Sequence, residues 1–335
     1  MTDYYKDYKR PLTDSGLKEK YLARIRGSEK EAVAGYLFLL PNLLGFMVFT
    51  LVPVALSLVL SFVDWDMLST PKFVGLQNFI NLLGFHMEAG AITANDPLFW
   101  KCVGNTLFLM IIIPIEIMAS LGLALVMNNK VRLISIFRAI YFLPTITNGV
   151  AICLLWAWLY NPEFGLFNSL LLKAGDMLAI PISRVEWLTS TAWAKPSLMF
   201  MGLWIMLGGY NMILFMAALQ GVPRELYEAA EIDGAGSWHK FWNVTWPMIS
   251  PTTFFVFVMA VIGGFQGGFM QAYIMTGGGP DRSTTTLEYL IYNHLYSWQH
   301  VGYAASIAWF VFIVVFMVTV FNWRFGGKLV QYSHY

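Results

Sequence analysis

Six long apolar runs, separated by polar stretches, constrain this chain more than any other feature. They cover roughly 32–62, 102–127, 133–160, 197–219, 252–274 and 302–323. About 20 mostly apolar residues suffice for a helix to cross a bilayer, so the runs predict an all-α integral membrane protein with six transmembrane helices. The composition agrees: 57% of the residues are hydrophobic and 12% charged, against roughly 25% charged in soluble domains. Pro41, Pro53, Pro114 and Pro144 fall inside or near these runs. Membrane helices tolerate such kinks when neighbouring groups satisfy the freed backbone.

Orientation follows from the basic residues, which cytoplasmic loops hold in excess. With the N-terminus inside, the inward segments hold 15 of the 21 Lys and Arg and the outward ones 6. The tail alone carries Lys6, Lys9, Arg10, Lys18, Lys20, Arg24, Arg26 and Lys30. The expected layout is a cytoplasmic tail (1–31), a six-helix membrane domain (32–323) with a cytoplasmic loop at 220–251, and a cytoplasmic C-terminal tail (324–335). The charged first 31 residues lack the apolar core of a cleavable signal, and the first apolar run is too long to be one.

Several function classes lose support. There is no GxxxxGK[ST] phosphate loop for ATP, no nucleophile elbow and no zinc-spaced His/Cys cluster, the five histidines being dispersed. Cys102 and Cys153 lie in or beside predicted spans, which argues against a secreted-type disulfide framework. A net charge of +1 argues against nucleic-acid binding. No enzyme activity and no cofactor is expected in this chain. Glu116 is the one ionisable residue well inside a predicted span. An intramembrane acid is a functional hypothesis by default. Its place two residues after Pro114 also fits a structural role, a hydrogen bond inside the bundle near a kink. Ion-driven transporters usually need several such groups, so the energy for transport is expected from elsewhere.

Three outward segments, 64–101, 161–196 and 276–301, are longer than turns. Trp65, Trp100, Trp187, Trp193 and Trp298 within them suit the interfacial belts of membrane proteins. Composition fits two readings equally: loops that cap a pathway and meet an outside partner, or loops that lie on the bilayer.

The polar island "LYEAAEIDGAGSWHKFWNVTWPMISP", 226–251, stands out between the fourth and fifth runs. Pro223 suits the first turn of a helix and Glu225 its positive end. Leu226, Ala229 and Ala230 share one helical face. Gly234 fits a left-handed stop, and Ser237 a cap for a second short helix. By itself this is either an interfacial helix-turn-helix or a knob offered to a partner.

Glu228-Ala229-Ala230, then three residues and Gly234, then nine residues and Val244-Thr245-Trp246-Pro247, resembles the EAA loop of bacterial ATP-driven importers, maltose-type sugar permease branch. The stretches 132–168 and 267–306, with "TGGGP", are similar to the same family. The resemblance implies a type I ABC importer permease architecture in the bacterial cytoplasmic membrane. It implies a second homologous permease, a dimer of ATP-binding subunits that hold ATP and Mg, and an extracytoplasmic solute-binding protein. Carried across, Glu228 is the acidic anchor for the ATPase and Ala229 and Ala230 the close-packed face. Asp233, Gly234 and Gly236 set the turn, and Pro247 marks the return to the membrane. Trp246 stands where the family usually has Leu.

Cargo is weakly specified. Tyr210 and Asn211 in the fourth run, and Gln266 and Tyr273 in the fifth, suit an uncharged polyhydroxylated ligand, although aromatics at helical spacing also serve packing. A sugar or oligosaccharide is the first reading. Acidic saccharides or glycerol phosphates, and a stand-alone secondary transporter, are the alternatives.

Overall fold

The computed structural model describes residues 31–88, 90–129 and 133–326. The basic tail up to Lys30, Lys130, Arg132 and the end of the C-terminal tail lie outside the described residues. The chain groups into two units, one ending at Val59 and one starting at Leu60.

The first unit is the N-terminal part of helix α1 (Glu31–Leu60), whose most apolar window buries none of its residues. A wide π-type turn at Met47–Leu51 precedes Pro53. Proline has no N–H to give to the preceding turn, and a wide turn is one way a helix accommodates that loss.

The second unit opens with a short antiparallel pair, β1 (Val63–Asp64) and β2 (Lys72–Phe73), in which Val63 faces Phe73. Helix α2 (Gln77–Leu83) follows. Its buried Asn78 donates to the carbonyls of Ser61 and Val63, both at 3.0 Å. A hairpin, β3 (Phe85–Glu88) and β4 (Ala91–Ala94), follows within the outward segment 64–101.

The spanning helices come in pieces, each break having a local cause. Helix α3 (Pro97–Met110) starts on Asp96, whose carboxylate accepts from the Phe99 N–H at 2.9 Å. After two residues, α4 (Ile113–Met127) restarts with Pro114 in its first turn, where a missing N–H costs nothing. The predicted third span is not one rod. Helices α5 (Ile134–Ile146) and α6 (Gly149–Leu159) meet at 99°, with Pro144 in the last turn of the first and the Asn148 side chain capping the second through Val150 N–H at 2.9 Å. After α7 (Leu166–Leu178), the fourth span divides at Gly208-Gly209 into α8 (Ala194–Leu207) and α9 (Tyr210–Gln220).

Helix α10 (Arg224–Ile232) is the polar one. Helix α11 (Ser237–Phe265) corrects the predicted fifth span, 252–274. It begins fifteen residues earlier because the backbone stays helical from Ser237 through the wide turn at Phe241–Thr245 and on past Pro247 and Pro251. It stops before Gly267-Gly268, where Gly268 takes φ +92°. Helix α12 (Leu287–Tyr292) and the span α13 (Val301–Arg324) complete the chain. Among the described residues, then, five helices are long and apolar enough to span, or six with the bent pair taken as one.

Packing is by facing stripes. Ile113, Ile117, Leu121 and Ala124 of α4 meet Met212, Phe215 and Leu219 of α9, and Ile249 and Val256 of α11. Those intervals of three and four residues keep each set on one helical face. Phe99, Leu287, Leu290 and Ile307 form a second cluster, and Ile152, Trp156, Leu198 and Met201 a third. The buried Cys102 and Cys153 belong to different clusters. The loop that follows TGGGP is stapled to α3: Asn105 donates to the carbonyls of Arg282 at 2.8 Å and Thr285 at 3.0 Å, and Lys101 pairs with Asp281 at 2.8 Å. Large apolar side chains such as Phe38, Phe49 and Phe316 stay exposed, which is the surface a lipid-facing helix presents.

Candidate functional site: a polar hairpin and an intramembrane cavity

The polar hairpin is built by α10 and the foot of α11. Pro223 is the residue before the helix, with extended ψ of 134°, and not its first turn as expected. Glu225 lies in the first turn, near the positive end of the backbone dipole. The helix ends in a reciprocal pair of backbone bonds. Ala235 N–H reaches Ala230 C=O at 2.8 Å and Gly234 N–H reaches Glu231 C=O at 3.0 Å, the Schellman arrangement that needs a left-handed residue. Gly234 supplies it with φ +75°. Asp233, just before it, donates its N–H to Ala229 C=O at 3.1 Å. Gly236, and not Ser237, is the cap residue of the next helix, with extended backbone and no side-chain bond.

Two side-chain links close the hairpin. Lys240 Nζ lies 2.7 Å from Glu231 Oε1, and the hydroxyls of Tyr227 and Thr245 are 2.9 Å apart. Beyond Lys240 the helix widens into a π-type turn at Phe241–Thr245 and runs on through Pro247, so Pro247 lies inside a continuous helix. Trp238, Trp242 and Trp246 recur every four residues with ring centroids 5.7 and 5.6 Å apart. Glu228 and Ala229 are exposed and Ala230 is half-buried. Ile232 is 87% exposed and Trp238 70%, an unusual display beside so many charges. Glu228 makes no hydrogen bond or ion pair among the described residues.

The second feature is a cavity of about 610 Å³ between α3–α4, the α5–α6 bend, the α8–α9 break and α11. Its wall is mainly apolar, with Glu116, Thr145, Tyr210, Asn211 and Gln271 among its polar members. That mixture of apolar wall and few polar groups is typical of small-molecule sites of roughly 300–1,000 Å³. The structure therefore brings Tyr210 and Asn211 together with Glu116. Gln266, exposed at the end of α11, and Tyr273, whose ring stacks on Phe269 at 5.4 Å, are not on this wall. Thr145 escaped the sequence reading; the signal was its place directly after Pro144, where a span is apt to break.

Among the described residues no three His, Cys, Asp or Glu side chains gather as a metal site.

Comparison with known proteins fits this picture. Residues 37–325 match the family model of the binding-protein-dependent transport system inner membrane component. The lactose transport system permease protein LacF of Rhizobium radiobacter is 36% identical over 295 residues, covering 87% of this chain and 92% of that one. The probable ABC transporter permease protein YesP of Bacillus subtilis is 28% identical over 316 residues, 93% and 96% of the two chains. Among solved structures, a chain of a bacterial ABC transporter involved in import of the acidic polysaccharide alginate superposes with a TM-score of 0.76 at 22% identity. It covers 92% of this chain and 100% of that one. With its spanning helices, polar hairpin and internal cavity, the chain is a multi-pass permease subunit of an ATP-driven importer, and it belongs to the family of binding-protein-dependent transport system inner membrane components.

Proposed function

We propose that this chain pairs with a second permease to enclose a pathway for a saccharide, and that the hairpin 220–251 is where a dimer of ATP-binding subunits docks. Family membership implies a paired permease, the ATPase and an extracytoplasmic solute-binding protein. It favours this class over a stand-alone ion-driven transporter. The observation that carries the docking assignment is the hairpin itself. A helix stopped by Gly234 and tied to a spanning helix through Tyr227–Thr245 leaves Glu228 and Ile232 unpartnered at its surface. ATP-driven closure of the ATPase moves this hairpin, and the hairpin moves α11. The cargo pathway switches because each state is stabilised differently. In this reading the hairpin and both termini face the cytoplasm.

The saccharide assignment rests on the cavity, with Asn211 and Tyr210 on its wall, and on relatives such as LacF, named for lactose transport. A second reading, an acidic saccharide, is favoured by the alginate importer of the same fold. Purification of the tagged chain in mild detergent tests the assembly. A second permease and an ATPase are expected to co-purify, and recovery of the chain alone from cells expressing the whole transport system contradicts the reading. A ligand screen on the importer's solute-binding protein separates neutral from acidic cargo.

A further inference from the structure

The β3–β4 hairpin has two unlike faces, and transport as read above uses neither. Its register pairs Phe85 with Ala94, His86 with Thr93, Met87 with Ile92 and Glu88 with Ala91. Side chains alternate across a strand, so Phe85, Met87, Ile92 and Ala94 share one face. That face is open: Met87 is 76% exposed and Ile92 75%. The charge lies on the other, where His86 Nε2 is 3.5 Å from Glu88 Oε2.

The base of the hairpin is held firmly. Asn95 donates its backbone N–H to Gly84 C=O at 2.9 Å and its side-chain amide to Ile80 C=O at 3.1 Å. The amide oxygen of Asn95 lies 2.8 Å from His86 Nδ1. A Cβ on Gly84 would collide with the Ile80 carbonyl and the Asn95 amide, so only glycine lets α2 and the hairpin close up. A lone two-stranded hairpin is marginal in water, and an open apolar face on so firm a frame calls for a cover.

Phe85 joins that face to a spanning helix. Its ring centroid is 5.7 Å from that of Trp100, in the first turn of α3. Trp100, Leu107 and Ile111 are exposed, and Gly104 between them is exposed too. Spacings of three and four make these one stripe, opposite the buried Cys102, Asn105 and Thr106. Lipid tails match such a stripe as well as Leu does, and the headgroup belt suits the tryptophan at its end. The hairpin face continues this lipid-facing stripe past the end of the span. A soluble partner that docks and leaves fits less well, since transient interfaces are no more apolar than the remaining surface.

We propose that the β3–β4 hairpin is an interfacial anchor that lays Phe85, Met87 and Ile92 into the headgroup–acyl boundary of the bilayer and keeps Glu88 in water. It is the β counterpart of an amphipathic interfacial helix. The occupant is phospholipid of any headgroup, because the face carries no charged side chain. In the orientation proposed above, the leaflet is the outer one. Through Phe85 and Trp100 the anchor sets the height at which α3 enters the membrane.

The test uses the complete importer in liposomes, with a nitroxide on one introduced cysteine and partner subunits lacking exposed cysteines. Cys102 and Cys153 are buried, so the label goes to the introduced site. Met87→Cys, Ile92→Cys and Glu88→Cys are compared by collision with oxygen, which concentrates among acyl chains, and with a water-soluble nickel chelate. Labels at positions 87 and 92 are expected about 5–10 Å inside the headgroup–acyl boundary, the depth of interfacial segments. The label at position 88 is expected in water. All three side chains are exposed, and co-purifying ATPase checks assembly; Ile92→Cys carries the reading should Met87→Cys fail to assemble. Nickel access at 87 and 92 equal to that at 88 overturns the anchor, and its loss on adding the solute-binding protein assigns the face to docking instead. Exclusion of both reagents also overturns it, in favour of a protein cover.

Discussion

The hydroxyl of Tyr227 lies 2.9 Å from Oγ1 of Thr245, eighteen residues further along the chain, and so fastens the polar helix α10 to the foot of spanning helix α11. Thr245 is buried, and its hydroxyl also reaches Lys240 C=O at 3.4 Å within the wide turn. This link is a side-chain route by which a push on α10 reaches α11. Tyr227→Phe should cost about 1 kcal/mol of local stability, the usual net worth of one hydrogen bond. Hydrogen exchange of the α10 amides should accelerate about fivefold, while helix α13 remains unchanged.

Gly234 is the stop of α10, and its demand is conformational alone, since a Cβ there would meet nothing within 4 Å. At φ +75° a side chain costs roughly 1–2 kcal/mol, and Asn bears it better than β-branched residues. Gly234→Asn should therefore retain more co-purifying ATPase than Gly234→Val. Equal retention by the two would show that the left-handed turn is not what presents the helix.

The Lys240–Glu231 pair, although only 2.7 Å apart, should matter little. Exposed ion pairs are worth about 1 kcal/mol at most and are screened by salt. Glu231→Gln is expected to leave uptake within about twofold of wild type, whereas Glu228, exposed and unpaired, is expected to be sensitive. A larger loss at Glu231 than at Glu228 would reverse the assignment of the docking acid.

His294, in the segment between α12 and α13, is buried with neither ring nitrogen paired. Trp298, Tyr303 and His300 surround it at 4.6, 4.7 and 5.8 Å between ring centroids. Burial first, and then the charge of His300, push its pKa down to about 4, with Asp96 pulling the other way. The unfolded chain, with an imidazole near 6.5, then binds more protons than the folded one between pH 6.5 and 4. Stability rises with pH through that window and is lost as pH falls through it, by up to about 3 kcal/mol. His294→Phe should flatten the fall in Tm between pH 6.5 and 4. The Asp281–Lys101 pair acts lower: the hydrogen bond and charge of Lys101 hold the Asp281 carboxyl below its usual range, so its small contribution disappears only below about pH 4.

Much of this architecture was legible in the chain because hydrocarbon imposes a length and a composition. Five of the six predicted spans appear as long apolar helices, with ends shifted by a few residues in all but the fifth. The failures have a common physical origin. Pro144 with Asn148, Gly208 with Gly209, and Gly267 with Gly268 redirect the chain within apolar runs whose composition does not change, so hydropathy cannot see the bend. The fifth span began early for a related reason: the segment from Ser237 was expected as a separate short helix ahead of the span, while the backbone stayed helical from it into the span. In the hairpin, Gly234 was readable because only the left-handed stop explains its place. The cavity was half readable. Glu116 stood out as a lone acid and Asn211 as a polar group in a span. Thr145 becomes meaningful only when the bent third and broken fourth spans are brought side by side.

The measurement that bears most directly on the central claim is the ratio of cargo imported to ATP hydrolysed, taken in proteoliposomes containing the whole importer, for Glu228→Ala and Gly234→Val. With membrane insertion and permease pairing intact, both variants should import at least tenfold less per ATP than wild type, since the hairpin is the link they damage. Wild-type import per ATP in both variants would contradict the account.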